Sequence, residues 1–371
     1  MRTPVDLPVL ALIVWLMVSG VMAERRAEAL FATAYFTAAV YLFFQIPYRW
    51  LNADSDLTGV VARWAFMMVP VATAIALLNF LWNPHLGIGA FRRFTLPGNV
   101  PAFLAWGLEV ALLLGLGLLD RHPRVGVTII GVGVFGLIET FSRWALLGFG
   151  AGVVTWSLIT ARRHPKQVRL ALLALAVTVL VVVPLPLTRA ILIQYARPRT
   201  ETGRPWQALA RGFSLHPGLT ERIVIWQTAL RIIHDHPWFG VGSGEFGRAY
   251  LLYRDPSIKN LEVLEEPSYL GTPHAHNELL TIIGIGGIPA GLAYVWVLAT
   301  AIREGLRRRD PMSISTVSAL VAVTVHGLFD GLTTVFIGPM VALWTLLALA
   351  VQPAAGLPGT VASKKNAVTT G

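Results

Sequence analysis

The chain has 371 residues, of which 55% are hydrophobic and 13% charged, with a formal net charge of +10 and no cysteine; its mean hydropathy is +0.62. A soluble domain carries nearly twice that share of charge, so a soluble globular protein is excluded. The missing cysteine excludes disulfides, thiolate nucleophiles and cysteine-bound zinc or iron–sulfur centres.

The apolar runs are continuous rather than alternating, which selects helices over a closed barrel. The expected fold is an all-α polytopic integral membrane protein with about ten transmembrane helices. The spans read as 8–22, 29–47, 60–81, 99–119, 124–138, 141–160, 168–188, 276–300, 312–332 and 336–352. The first resembles a signal peptide, with Arg2, an apolar core and Val21-Met22-Ala23 before Glu24. With so many later spans, it reads as an uncleaved helix.

Short-loop basic residues set the orientation. If the spans alternate, Arg121 and Arg124, then Arg162, Arg163, Lys166 and Arg169, then Arg303 and Arg307 to Arg309, and finally Lys364 and Lys365 share one side. That side is assigned to the cytoplasm. Arg25-Arg26 and Arg92-Arg93 fall on the other side and oppose the assignment. The chain then divides into 1–188 with about seven spans, a long extracytoplasmic loop 189–275 with short interfacial helices, three spans over 276–352 and a flexible cytoplasmic tail 353–371.

In chain order, the first candidate is Arg143, in the corner between two spans, Glu139-Thr140-Phe141-Ser142-Arg143-Trp144. It is either an interfacial anchor beside Trp144 or a clamp on an anion. The next lies in the long loop, where Thr220 begins an amphipathic helix. At 100° per residue, Arg222 falls within its apolar arc, near Trp226 and Ile233. A charge there either curls back to water or meets an anionic head group, and the planar guanidinium suits phosphate.

Gly242 to Gly247 fits G-x-G-x-x-G, but no strand precedes it and no βαβ unit surrounds it, so a dinucleotide site is rejected in favour of tight turns and close packing. Glu262, Glu265 and Glu266 read as a solvated loop face. Pro273-His274-Ala275-His276-Asn277-Glu278 then ends the loop and opens a helix. A histidine here can take a proton from a sugar hydroxyl near neutral pH, and Asn277 and Glu278 can orient it or bind a sugar. The two histidines are also compatible with a metal, but no further ligand set appears at familiar spacing. Gly284, Gly287 and Gly291 permit close helix packing. His326 and Asp330, one turn apart, are expected to pair.

Taken together, these motifs resemble the O-antigen ligase and polymerase superfamily of bacterial envelope glycan enzymes. The resemblance rests on Ser142-Arg143, on Arg222 and Trp226, on His236-Pro237-Trp238-Phe239-Gly240-Val241-Gly242, on His274-Ala275-His276-Asn277-Glu278-Leu279-Leu280, and on His326-Gly327-Leu328-Phe329-Asp330. It covers about residues 130–350. The resemblance implies a metal-independent, inverting glycosyltransferase of the inner membrane with its site facing the periplasm and no cofactor. It implies a donor glycan on undecaprenyl pyrophosphate and an acceptor hydroxyl on lipid A–core, another glycan or a protein. By the same resemblance, Arg143 and Arg222 would bind pyrophosphate, and His276 would be the base with His274 in support. Asn277, Glu278, Trp226 and Asp330 would assist. A polymerase of lipid-linked repeat units is the alternative within the superfamily. A transporter or flippase of a lipid-linked or anionic substrate is the alternative from another class, but the charges cluster on one face and no inverted repeat is visible. A non-catalytic envelope scaffold leaves Arg222 and the histidines without a role.

Overall fold

The computed structural model describes residues 3–53, 57–82, 101–185, 188, 217–255, 272–331, 333, 334 and 336–352. In chain order the helices are α1 (Asp6–Met22), α2 (Arg26–Val40), α3 (Ile46–Ala53), α4 (Leu57–Trp82), α5 (Pro101–Leu118), α6 (Pro123–Glu139), α7 (Arg143–Thr160), α8 (Pro165–Val182), α9 (Pro217–Asp235), α10 (Phe246–Tyr253), α11 (Glu278–Arg308), α12 (Pro311–Gly327) and α13 (Ile337–Ala350). A π-helical turn, Tyr41–Gln45, joins α2 to α3.

A helix stands at each of the ten expected spans, and the protein is an all-α, multi-pass membrane protein. Among the described residues, five helices are long and apolar enough to cross a membrane: Arg26–Leu51, Gly59–Trp82, α5, α8 and α11. Three more, α1, α12 and α13, are apolar but shorter. Only 17% of the apolar window of α8 is buried, and its Leu173, Val177 and Leu180 are exposed. An uncovered apolar face of that extent suits lipid. The basic stretch expected as a loop after residue 300 is instead the end of α11, whose last turn carries Arg307 and Arg308. Cations there complement the helix dipole, and arginine is a good helix former. The acidic triplet Glu262, Glu265 and Glu266 and the tail 353–371 lie outside the described residues.

The centre of the bundle is α12, which packs on α7 and α5 and also touches α11 and α13. Its Ser313, Ser315, Thr316, Ser318, Ala319 and Ala322 are all buried. Small residues let the neighbouring backbones approach. Thr316 and Ser318 donate to the carbonyls of Met312 and Ile314 at 2.9 and 2.8 Å, so these hydroxyls need no outside partner.

Next to α12, α11 is broken. Gly287 has φ 75° and ψ 176° inside the helix, and Pro289 follows without an N–H. Three carbonyls before the break are satisfied from other segments. Gly284 accepts from the Val241 N–H at 2.9 Å, and Ile285 accepts from the Gly242 N–H at 2.9 Å. Ile285 also accepts from Ser19 Oγ at 2.8 Å, and Gly286 from Trp15 Nε1 at 2.9 Å. The glycine-rich turn therefore docks backbone to backbone on α11. Gly240 and Gly242 have φ of 63° and 100°, and a side chain at Gly240 would run into the backbone of Ile285. Arg248 of α10 adds a two-pronged ion pair to Glu24 at 2.9 and 3.0 Å, tying this layer to the turn before α2.

Candidate active site

The site is built at the start of α11. Asn277 is extended, at φ −154° and ψ 119°, and its side chain caps the helix by accepting from the Leu280 N–H at 2.9 Å; such caps stabilise a helix by roughly 1 kcal/mol. Thr281 Oγ1 donates to the Asn277 carbonyl at 2.8 Å and accepts from the Ala275 N–H at 3.0 Å. Between these fixed residues His276 adopts φ 47°, a left-handed conformation that a non-glycine residue enters only at a cost. Its N–H donates to His274 Nδ1 at 3.0 Å, which holds the turn closed.

His274 is itself 3% exposed. Burial, reinforced by the neighbouring His276 and by Arg222 and opposed by Asp330, lowers its imidazole pKa from 6.5 to about 3. It is therefore neutral at ordinary pH, with its Nδ1 occupied as an acceptor. The structure places the two histidines in different positions: His274 beneath the turn and His276 at its surface, with 29% of the His276 side chain exposed.

Three consecutive residues then grip the turn that follows α12. His276 Nδ1 lies 3.0 Å from Asp330 Oδ1. Asn277 Nδ2 donates to the Leu328 carbonyl at 2.8 Å. Glu278 Oε2 accepts from the Thr333 N–H at 3.0 Å. Gly331 fits because it lacks a Cβ, which would strike the backbone of Asn277 and Glu278. Burial alone would raise the Asp330 carboxyl, but the His276 hydrogen bond and the Arg222 charge outweigh it and hold the group below its usual range.

The arginines complete the arrangement. Arg222 NH2 lies 3.6 Å from the same Asp330 Oδ1, and its Nε donates to the Phe329 carbonyl. Its apolar-arc position is thus explained by a buried partner rather than by a return to water. The Arg222 guanidinium lies 5.6 Å from the centre of the Trp144 ring, and that of Arg143 lies 5.8 Å from it. Two arginines from distant segments therefore share one indole, within cation–π range. Trp144 stacks on Phe329 at 4.4 Å with an interplanar angle of 6°, and Trp226 lies against the same ring at 6.1 Å. Arg143 is exposed and is the first residue of α7. A helix N-terminus with two guanidiniums beside it favours an anion.

All eight residues singled out in the sequence thus belong to this one region or its support. One expectation is corrected: His326 does not pair with Asp330. The helix α12 ends at Gly327, so Asp330 leaves the helix face and turns to His276, while His326 Nδ1 meets Glu109 Oε2 at 2.7 Å. Sequence reading also missed Trp144 as the shared platform and Phe329 beneath it. Their signal was adjacency to Arg143 and Asp330. Among the described residues, no three His, Asp or Glu side chains converge as metal ligands.

With this geometry in place, two comparisons with known proteins bear on it. Residues 128–295 match the model of a family described as O-antigen ligase. That interval takes in Arg143, Arg222, His274 and His276, while Asp330 lies beyond it. A curated relative, the O-antigen ligase of Pseudomonas aeruginosa, is 27% identical over 290 residues, which cover 76% of this chain and 60% of the relative. The chain thus spans three fifths of that relative's length.

Proposed function

With these matches supporting the O-antigen ligase superfamily for this chain, we propose that it is a membrane glycosyltransferase moving a glycan from undecaprenyl pyrophosphate to an acceptor hydroxyl. The site faces the periplasm of a bacterial inner membrane. The single observation that carries this reading is that one carboxylate, Asp330, contacts both the candidate base His276 and the candidate pyrophosphate cation Arg222.

The chemistry follows from the geometry. Asp330 on Nδ1 favours the His276 tautomer that leaves Nε2 as a proton acceptor. His276 Nε2 takes the proton from the acceptor hydroxyl as its oxygen attacks the anomeric carbon. The bond from that carbon to the pyrophosphate oxygen breaks, and the configuration inverts. Arg143 and Arg222 hold the charge that develops on the departing pyrophosphate. Fixed guanidiniums aimed at a leaving group stabilise the transition state, so in this proposal they take the part a metal cation plays elsewhere. The buried His274 keeps the turn in shape and does not exchange protons with substrate.

The test uses purified protein, a glycan on a polyprenyl pyrophosphate and three acceptors: lipid A–core, a second lipid-linked repeat unit and a protein. Transfer to the first makes the protein a ligase, and transfer to the second makes it a polymerase. His276→Ala should abolish transfer, and unchanged transfer by that variant would sink the mechanism.

A further inference from the structure

Glu109 lies within α5 and His326 in the last turn of α12, and both side chains are fully buried, with Oε2 and Nδ1 2.7 Å apart. A carboxylate and an imidazole inside an apolar bundle are costly to bury, and the proposed chemistry does not use them. Their surroundings indicate what they do. The His326 carbonyl accepts the N–H groups of Phe329 at 2.9 Å and Asp330 at 3.0 Å. Those two residues supply the carbonyl and the carboxylate that Arg222 contacts and the side-chain partner of His276. On the other side, Gly148 of α7 lies directly against the pair. A Cβ there would strike Glu109 Oε1 and the Ala322 carbonyl and would come within 3.1 Å of His326 Cβ. The same helix begins with Arg143 and Trp144. Trp106 of α5 stacks on the His326 ring at 4.9 Å. The pair therefore sits where α5, α7 and α12 cross, directly behind the site.

We propose that Glu109 and His326 are positioning residues for glycosyl transfer. Their contact fixes the rotation and depth of α12 against α5 and α7. It thereby sets Asp330 at its distance from His276 and Arg222, and Phe329 flat on Trp144. This rests on the function proposed above, but its geometric part can be read without substrate.

The experiment compares Glu109→Ala, His326→Ala, the double variant and Glu109→Gln in detergent-solubilised full-length protein. Two measurements are made. The first is kcat per folded molecule. A displacement of about 1 Å at a reacting group costs on the order of 100-fold, so each Ala variant should lose about that much. The double variant should lose no more than either single, because the two residues act as one unit. The Gln variant, whose amide oxygen still accepts from His326, should recover most of the rate. The second is the imidazole proton of His276 bonded to Asp330, followed by nitrogen-15 histidine spectroscopy and identified by its loss in His276→Gln. It should shift or broaden in both Ala variants and remain in place in Glu109→Gln. If Glu109→Ala does not fold, Gly148→Ala, which crowds the same contact, should produce the same displaced signal. A merely structural pair would lower the melting temperature while leaving kcat per folded molecule and the His276 signal unchanged, and that result overturns the proposal. Losses that multiply in the double variant also overturn it. If the parent transfers no glycan while the Ala variants still show the signal displaced from its place in the parent, the glycosyltransferase reading is refuted and the positioning of Asp330 against His276 stands.

Discussion

Asp330 and His276 are 54 residues apart in the chain and 3.0 Å apart in space. In the proposed reaction this contact favours the tautomer with Nε2 free to accept a proton, and the same oxygen also faces Arg222. Asp330→Asn preserves size but presents either a neutral acceptor or the wrong donor. It should lower kcat by about 100- to 10,000-fold, the range found for general bases that lose their protonation or orientation. Single-turnover rates with saturating donor check this. A rate within threefold of the parent would show that Asp330 does not support the base.

Arg143 and Arg222 meet on the Trp144 ring, a contact that depends on planar guanidiniums. Lysine keeps the charge but loses the fork and the stacking. Arg222→Lys should therefore weaken donor binding about tenfold, corresponding to ~1.4 kcal/mol, with a smaller effect on acceptor KM. Trp144→Ala should affect both arginines at once, so adding Arg143→Lys to it should cost little more. Direct titration with a polyprenyl pyrophosphate measures each case.

The buried His274 makes stability depend on pH in a defined direction. Its folded-state pKa is about 3 and its ordinary value 6.5. Between those values the unfolded chain binds a proton that the folded turn refuses. Stability therefore rises with pH across that window, by at most about 1.4 kcal/mol per unit. Asp330, held below its ordinary 3.8, acts in the same sense: its contribution is present above that value and is lost as pH falls. Melting temperatures in detergent should fall steadily from pH 6.5 to pH 4. His274→Asn can still accept the His276 N–H but cannot charge, so it should flatten that slope. An unaltered slope would assign the acid sensitivity elsewhere.

Gly287 combines φ 75° with close contact to Trp238. A Cβ there would strike the Trp238 carbonyl and lie 2.8 Å from the Phe239 nitrogen. Gly287→Ala should destabilise the protein by about 3 kcal/mol through backbone strain and collision together. Thermal unfolding should show it, with Gly338→Ala as control, since nothing stands near that glycine.

The helices were legible because lipid demands long uninterrupted apolar runs, and the wheel placed Arg222 where a charge needs a reason. The pair His274 and His276 was legible as titratable groups at a loop-to-helix junction, but choosing His276 over His274 rested on the family resemblance, since their local pattern does not separate them. What escaped was set by where a helix stops. A continuous helix through residue 330 puts His326 and Asp330 on one face, and the stop at Gly327 separates them. Glu109 did carry a signal, a lone acid inside an apolar run over Pro101–Leu118, but its partner comes from 217 residues away. No local pattern encodes such a pairing.

The break in α11 also has a consequence for biosynthesis. Trp15 and Ser19, near the start of the chain, complete the hydrogen bonding of Gly286 and Ile285, 271 and 266 residues later. α1 leaves the ribosome long before α11 exists, and such distant contacts form late. Until α11 is inserted, an indole N–H and a hydroxyl wait on the surface of α1. The bundle can close around the site only after α11 has been inserted, so α1 is locked in place by a segment made 271 residues after it.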